Sequence, residues 1–115
     1  MNVLLINKRA TPEQMNAMLQ SLESYIKLAV DIERGILAGG GTLHSDCEEA
    51  LLENGSGQEN IWGADWFPST QQVTFESLIN IRPHQDNLSM EVQDDYLRGK
   101  IELIVRRLFE GVTDE

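Results

Sequence analysis

Six consecutive residues, from His44 to Glu49, carry the densest set of side chains able to bind a metal ion or transfer protons. If this run is extended, His44, Asp46 and Glu48 lie on one side of the backbone, about 7 Å from one to the next. Asp31 lies on the polar face of a predicted neighbouring strand. One histidine with carboxylates suits a divalent cation such as Mg²⁺, Mn²⁺ or Zn²⁺, which makes Asp31, His44, Asp46 and Glu48 the candidate metal ligands. Because their spacing matches no zinc or EF-hand motif, solvated acids beside a structural histidine are the alternative.

The single cysteine, Cys47, could be a nucleophile with His44 as its base. A separation of three residues is not a general geometry for that pair, and neighbouring carboxylates disfavour the thiolate. The sequence therefore favours a buried structural cysteine. A metal-dependent hydrolase using the same acidic groups is less favoured than a binding function.

Two tryptophans and two charged residues complete the candidate ligand-binding set. Trp62 and Trp66 point to the same side of one predicted strand. They either pack in the core beneath a helix or form an exposed aromatic platform in a groove or subunit interface. Arg82 either pairs with an acid of its own chain or recognises a carboxylate on a ligand or partner. The candidate ligand-binding residues are His44, Asp46, Trp62, Asp65, Trp66 and Arg82.

These candidates lie in or beside a stretch of 47 residues, between Arg34 and Arg82, that has seven carboxylates and no lysine or arginine. Such a block is either solvated or neutralised by the rest of the chain, a second copy, a cation or a basic partner. The net charge of −10 and the isoelectric point near 4.5 oppose contact with nucleic acid phosphates and with anionic membrane surfaces. We therefore expect neither nucleic acid nor membrane as a partner.

The sequence also predicts a cytoplasmic protein. No apolar run approaches the roughly 20 residues that span a bilayer. The N-terminal apolar patch is only four residues long and lacks the basic segment of a signal peptide. A lone cysteine fits a reducing compartment and excludes an internal disulfide framework.

The elements that position these side chains follow from capping residues and from hydrophobic periodicity. Thr11, Pro12 and Gln14 predict a capped helix over residues 12–23, and a second helix is predicted over residues 95–110. Strands are predicted at residues 3–6, 26–33, 61–67 and 73–82. Residues 45–53 admit two interpretations, a short helix opened by a capping box or a strand that turns through Asn54-Gly55 into the next strand. The hairpin is favoured, because Asn-Gly is a strong turn signal.

Helices at both ends of a run of neighbouring strands predict one α+β domain over residues 1–115. The expected architecture is an antiparallel sheet of about four to five strands, with the helices of residues 12–23 and 95–110 packed on one face.

Two sequence blocks resemble a small prokaryotic protein family of unknown function. They are ILAGGGTLHSDCEEALLENGSGQENIWGADW at residues 36–66 and FESLINIRPHQDNLSMEVQD at residues 75–94. The resemblance extends from about residue 26 to residue 108. It implies basic residues in relatives at the positions of His84 and Leu88, where this chain departs. It implies no activity, so no catalytic residue is inferred from it.

Three functional hypotheses follow. The favoured one is a small interaction module, a homodimer that uses a sheet edge or the aromatic acidic region to bind a basic protein partner. The second is a domain that binds a small ligand or a divalent metal through groups around His44, Asp46, Asp65 and Arg82. The third is a hydrolase that uses the same groups.

Overall fold

A five-stranded antiparallel sheet in the order β1-β3-β2-β4-β5 organises the computed structural model, which describes residues 3–113. The strands are β1 (Leu4–Ile6), β2 (Ile26–Asp31), β3 (Ile36–Gly41), β4 (Ile61–Phe67) and β5 (Gln72–Thr74). The helices are α1 (Pro12–Leu19), α2 (His44–Glu53) and α3 (Asp95–Phe109). Within this part of the chain, no helix is long and apolar enough to cross a membrane.

Alternation along β2 and β4 divides the molecule into three layers. On one face, Ile26 and Leu28 pack with Trp62 and Trp66 beneath residues of α1 and α3. On the other face, a smaller cluster joins the sheet to α2, and it contains Ala29, Ala38, Cys47, Leu51 and Ile61. The predicted α+β class, the antiparallel sheet and the two helices on one face are confirmed, and the third helix covers the opposite face.

The predicted capping box of α1 is confirmed. Thr11 accepts a hydrogen bond from the Gln14 backbone and donates its own backbone N–H to the Gln14 side chain. The helix ends at Leu19, four residues before its predicted end. Glu23 takes a positive φ of 70° in the turn that leads from α1 to β2.

The favoured interpretation of residues 45–53, a hairpin with a strand at residues 47–53, is wrong, and the alternative of a short helix is correct, because these residues belong to helix α2. Leu43 is the N-cap, and its backbone N–H donates to Asp46 Oδ2 at 3.1 Å. At the other end Gly55 has a φ of 99° and follows the C-cap Asn54. Asn54-Gly55 therefore ends a helix instead of forming a hairpin turn. Both structures need a residue with positive φ.

The strand predicted at residues 73–82 is shorter than expected, since β5 ends at Thr74. The following segment, residues 75–93, contains two single turns of 3₁₀ helix, Leu78–Asn80 and Pro83–Gln85. The Asn80 side chain takes the place of a strand: its Oδ1 accepts from Gly63 N at 2.8 Å and its Nδ2 donates to Gly63 O at 3.1 Å. The sheet thus ends in a side-chain pairing that lets the backbone leave the strand path.

Gly63 permits this close approach. A Cβ at Gly63 would lie 2.5 Å from Ser77 Cβ, whereas a Cβ at Gly99 in α3 would meet no atom within 4 Å. We expect Gly63→Ala to lower the free energy of unfolding by about 1–3 kcal/mol, because segment 75–93 must shift away from β4.

The matched substitution Gly99→Ala should raise the free energy of unfolding by about 0.5–1 kcal/mol, since alanine is the better helix former. Urea unfolding of both variants checks the pair. A Gly63→Ala protein as stable as the wild type would show that the contact with Ser77 relaxes without cost.

Candidate functional site

A cleft of about 480 Å³ lies between the start of α2 and segment 75–93. Its floor is formed by β2 and β4, which contribute Lys27 and Asp65. Its remaining wall residues are Tyr25, Leu43, His44, Ser45, Glu76, Ser77, Leu78, Ile79 and Met90. Polar groups at the floor and apolar groups at the rim give it the composition of a ligand site.

A chain of hydrogen bonds fixes the histidine at this floor. His44 Nε2 lies 2.8 Å from Asp65 Oδ1 and 3.1 Å from the Ala64 carbonyl oxygen. Thr74 Oγ1 donates to Asp65 Oδ2 at 2.8 Å. Because both neighbours of Nε2 are acceptors, Nε2 carries the proton. In the neutral ring, Nδ1 is then the acceptor, and within residues 3–113 no hydrogen bond is made to it.

Three elements bring these groups together. His44 is the first residue of α2, Asp65 lies on the α2 side of β4, and Thr74 pairs with Asp65 across β4 and β5. Lys27 is the cross-strand partner of Asp65 on the other side, and its Nζ donates to the Thr42 carbonyl at 3.1 Å. The arrangement can accept a hydrogen bond or a proton from a group in the cleft.

The rim of the cleft exposes large apolar side chains. Leu43 is 57% exposed and Leu78 is 72% exposed, and Met90 is also exposed. Tyr25 closes one end and stacks on Phe67 with ring centroids 5.1 Å apart. Clustered exposed apolar groups of this kind are typical of interaction surfaces.

Arg82 lies behind the cleft and is buried, with only 4% of its surface exposed. Its guanidinium donates to the carbonyls of Gln58, Ile61 and Ile79 and to the Glu48 carboxylate, 3.3 Å away. Burial lowers the pKa of Arg82, and the negative charges of Glu48 and Glu59 oppose that shift. Of the two predicted interpretations, the structure shows pairing with an acid of its own chain.

The candidate metal ligands lie in separate environments. Asp31 Oδ1 accepts the backbone N–H groups of Glu33 and Arg34 at the β2–β3 turn. Asp46 caps α2, and Glu48 faces Arg82. Among the described residues, no group of three or more histidine, cysteine, aspartate or glutamate side chains could hold a metal ion. The geometry therefore does not support a cation site at Asp31, His44, Asp46 and Glu48.

Trp62 and Trp66 lie in the core on the opposite face of the sheet, and neither lines the cleft. This placement excludes the exposed aromatic platform. Cys47 is also buried, and burial raises the pKa of its thiol to about 11. A thiol with this pKa is almost entirely protonated at neutral pH, as the structural interpretation of Cys47 requires.

Of the six candidate ligand-binding residues, the structure places His44 and Asp65 in the cleft, and it assigns Asp46 and Arg82 to capping and packing. Sequence reasoning missed Lys27, Thr74 and the apolar rim. Lys27 and Thr74 occupy strand positions opposite Asp65, so the register of the strands was the signal that could have found them. Of the rim residues, Leu78 lies in the stretch that the sequence predicts as strand, whereas Leu43 is the N-cap of α2 and Met90 lies beyond residue 82.

Residues 4–108 match the model of a protein family of unknown function, DUF5674. The chain belongs to this family. Searches of curated proteins and of solved structures gave no significant match. The resemblance noted from the two sequence blocks is thereby confirmed at the level of the family.

Arg82 should be the most sensitive of the polar residues behind the cleft. We expect Arg82→Lys to lower the free energy of unfolding by about 2–4 kcal/mol, because lysine keeps the charge but cannot reach three carbonyls and a carboxylate together.

Arg107→Lys is the matched control. Arg107 is exposed and donates to a single carbonyl, that of Gly35, so its substitution should change stability by less than about 1 kcal/mol. Urea unfolding measures both. Equal stabilities of the two variants would contradict the role given to Arg82.

Proposed function

We propose that the protein is a binding module and that the cleft at the start of α2 is its binding surface. The observation that carries this proposal is the His44–Asp65–Thr74 hydrogen-bond chain at the floor of a cleft rimmed by exposed apolar side chains. A ligand would place an apolar group against Leu43, Leu78 and Met90 and a hydrogen-bonding group against the floor.

The rigidity of the wall supports the same proposal. Segment 75–93 lacks regular structure, yet side chains of Asn80, Arg82 and Asn87 fasten its backbone. Asn87 Nδ2 alone donates to the carbonyls of Asn80, Ser89 and Glu91. A wall that is fixed before binding loses little conformational entropy when a ligand enters, which favours affinity.

Removal of one rim side chain tests the proposal. The probe is the neutral peptide acetyl-Leu-Gln-Leu-Gln-Leu-amide, titrated into ¹⁵N-labelled protein. We expect saturable amide shifts at Tyr25, Ser45 and Leu78, and binding at least fivefold weaker in Leu78→Ser, since a buried leucine contributes roughly 1.5–3 kcal/mol.

Leu103→Ser is the matched control, because Leu103 is 68% exposed but lies on the outer face of α3. It should leave peptide binding unchanged. Peptide-induced shifts that scatter over the surface, or that respond equally to the two substitutions, would overturn the assignment of the cleft.

Self-association as a homodimer, predicted from the sequence, is the second candidate function. The outer face of α3 favours it: Tyr96 and Leu103 are exposed there at 71% and 68%, beside Lys100, whose Nζ lies 5.5 Å from the Tyr96 ring centroid. Exposed aromatic and leucine side chains on one helix stripe suit contact with a second copy.

Sedimentation equilibrium of three proteins tests the homodimer. We expect a dimer for the wild type and for Leu78→Ser, and a monomer for Leu103→Ser. The reason is that Leu103 lies on the proposed contact and Leu78 does not. A wild-type protein that stays monomeric at its highest soluble concentration would contradict self-association and leave the cleft proposal untouched.

A further inference from the structure

We infer that the ligand of the cleft is a basic peptide segment of a partner protein, with a lysine or arginine side chain against the acceptors and apolar side chains against the rim. This inference rests on the proposed binding function and specifies its ligand. Three independent features of the site carry it: its charges, the acceptor at His44 and the shape of the surface around it.

The exposed charge at the rim of the cleft is negative. Glu76 lines the cleft and is exposed, and its backbone forms an isolated antiparallel bridge with that of Glu91, which is also exposed. Within residues 3–113, Lys27 is the one lysine or arginine in the wall of the cleft. It is half-buried, its Nζ donates to the Thr42 carbonyl, and its cross-strand partner is Asp65. No lysine or arginine occurs from residue 35 to residue 81. The surface is therefore complementary to a cation.

His44 adds an acceptor to this charge pattern. Its Nε2–H is committed to Asp65 and to the Ala64 carbonyl, which leaves the lone pair of Nδ1 on the neutral ring without a partner within residues 3–113. A lysine ammonium or arginine guanidinium has only donors. Such a group can donate to Nδ1 or to the Glu76 carboxylate, whereas a carboxylate ligand would find a charged donor only at Lys27, whose Nζ already donates to the Thr42 carbonyl.

The surface is larger than a small amine would cover. Leu78 and Ile79 form a ridge shared with a second, shallower cleft of about 230 Å³, whose wall includes Glu48, Ile81 and His84. Leu78 is 72% exposed on the crest of this ridge. An extended chain that crosses the ridge contacts both clefts, and this favours a peptide over a free amine.

Three peptides that differ only in charge test the inference. They are acetyl-Leu-Lys-Leu-Lys-Leu-amide, its Gln counterpart and its Glu counterpart, titrated into ¹⁵N-labelled protein at low ionic strength. We expect the Lys peptide to bind roughly five- to twentyfold more tightly than the Gln peptide, and the Glu peptide to bind least, with shifts centred on Ser45, Glu76 and Leu78. The advantage of the Lys peptide should shrink as NaCl is added.

A pair of substitutions with the same change in net charge separates the site from the general acidity of the chain. Glu76→Gln should weaken binding of the Lys peptide several-fold. Glu33→Gln should leave it nearly unchanged, because Glu33 is exposed at the β2–β3 turn, beyond the end of β2 at Asp31, which lies about 13 Å along the strand from Lys27.

The outcomes distinguish the inference from the proposed function. Equal affinity for the Lys and Gln peptides in the cleft, tighter binding of the Glu peptide, or equal effects of the two substitutions would each overturn the cationic ligand while leaving a binding cleft in place. Failure of all three peptides to shift the cleft residues would overturn the proposed function as well.

Discussion

The buried guanidinium group of Arg82 holds the segment that forms one wall of the cleft against the rest of the protein. Arg82 has donors and no acceptors, so every hydrogen bond it makes must end on an acceptor elsewhere in the chain. The structure supplies these from the turn before β4, from β4 itself and from the 3₁₀ turn at Leu78–Asn80. The Glu48 carboxylate then balances the buried charge and extends the contact to α2. One side chain thereby joins α2, β4 and segment 75–93, which are three of the parts that border the cleft.

Asparagine side chains perform the second part of this task, because they can imitate a backbone amide. β5 ends at Thr74, which would leave Gly63 in β4 without a partner on that side. The Asn80 amide supplies both a donor and an acceptor there, and it also donates to the carbonyls of Phe75 and Met90. The backbone N–H and carbonyl of Gly63 thus have hydrogen-bond partners although no further strand lies beside them. The backbone is consequently free to place Leu78 and Met90 at the rim rather than alternate them across a sheet.

How much the sequence could predict depends on whether local or distant contacts decided the structure. The helices α1 and α3 follow from caps and stripes that act over four residues, and the fold class follows from them and from the strands. Local sequence does not settle the structure of residues 45–53, because Asn54-Gly55 suits a hairpin and a helix end equally. Both need a residue with positive φ. Packing of Cys47 and Leu51 on the sheet selects the helix.

The candidate site shows the same division. Asp65 and His44 are 21 residues apart, and only the position of α2 over β4 brings them into contact. The sequence predicts that Arg82 pairs with an acid of its own chain or with a carboxylate on a ligand or partner, but its burial depends on carbonyls that no pattern of side chains reveals. The rim could not be predicted from the sequence. Leu78 lies in a stretch that alternates like a strand while the Asn80 side chain holds it in another conformation, and Leu43 and Met90 come from other parts of the chain.

The two arginines that border the lysine- and arginine-free block, Arg34 and Arg82, both bind groups within it. Arg34 donates to the Asn54 carbonyl and side chain and to Ser56 at the end of α2, where a cation is favoured by the helix dipole. Arg82 forms an ion pair with Glu48. Within residues 3–113, an arginine ion pair reaches only Glu48 among the carboxylates of the block. Asp65 is held by hydrogen bonds to His44 and Thr74, and the exposed Glu76 keeps its charge facing water. Self-neutralisation therefore stabilises the scaffold and leaves the rim negative, and the unbalanced charge lies where the apolar side chains are exposed.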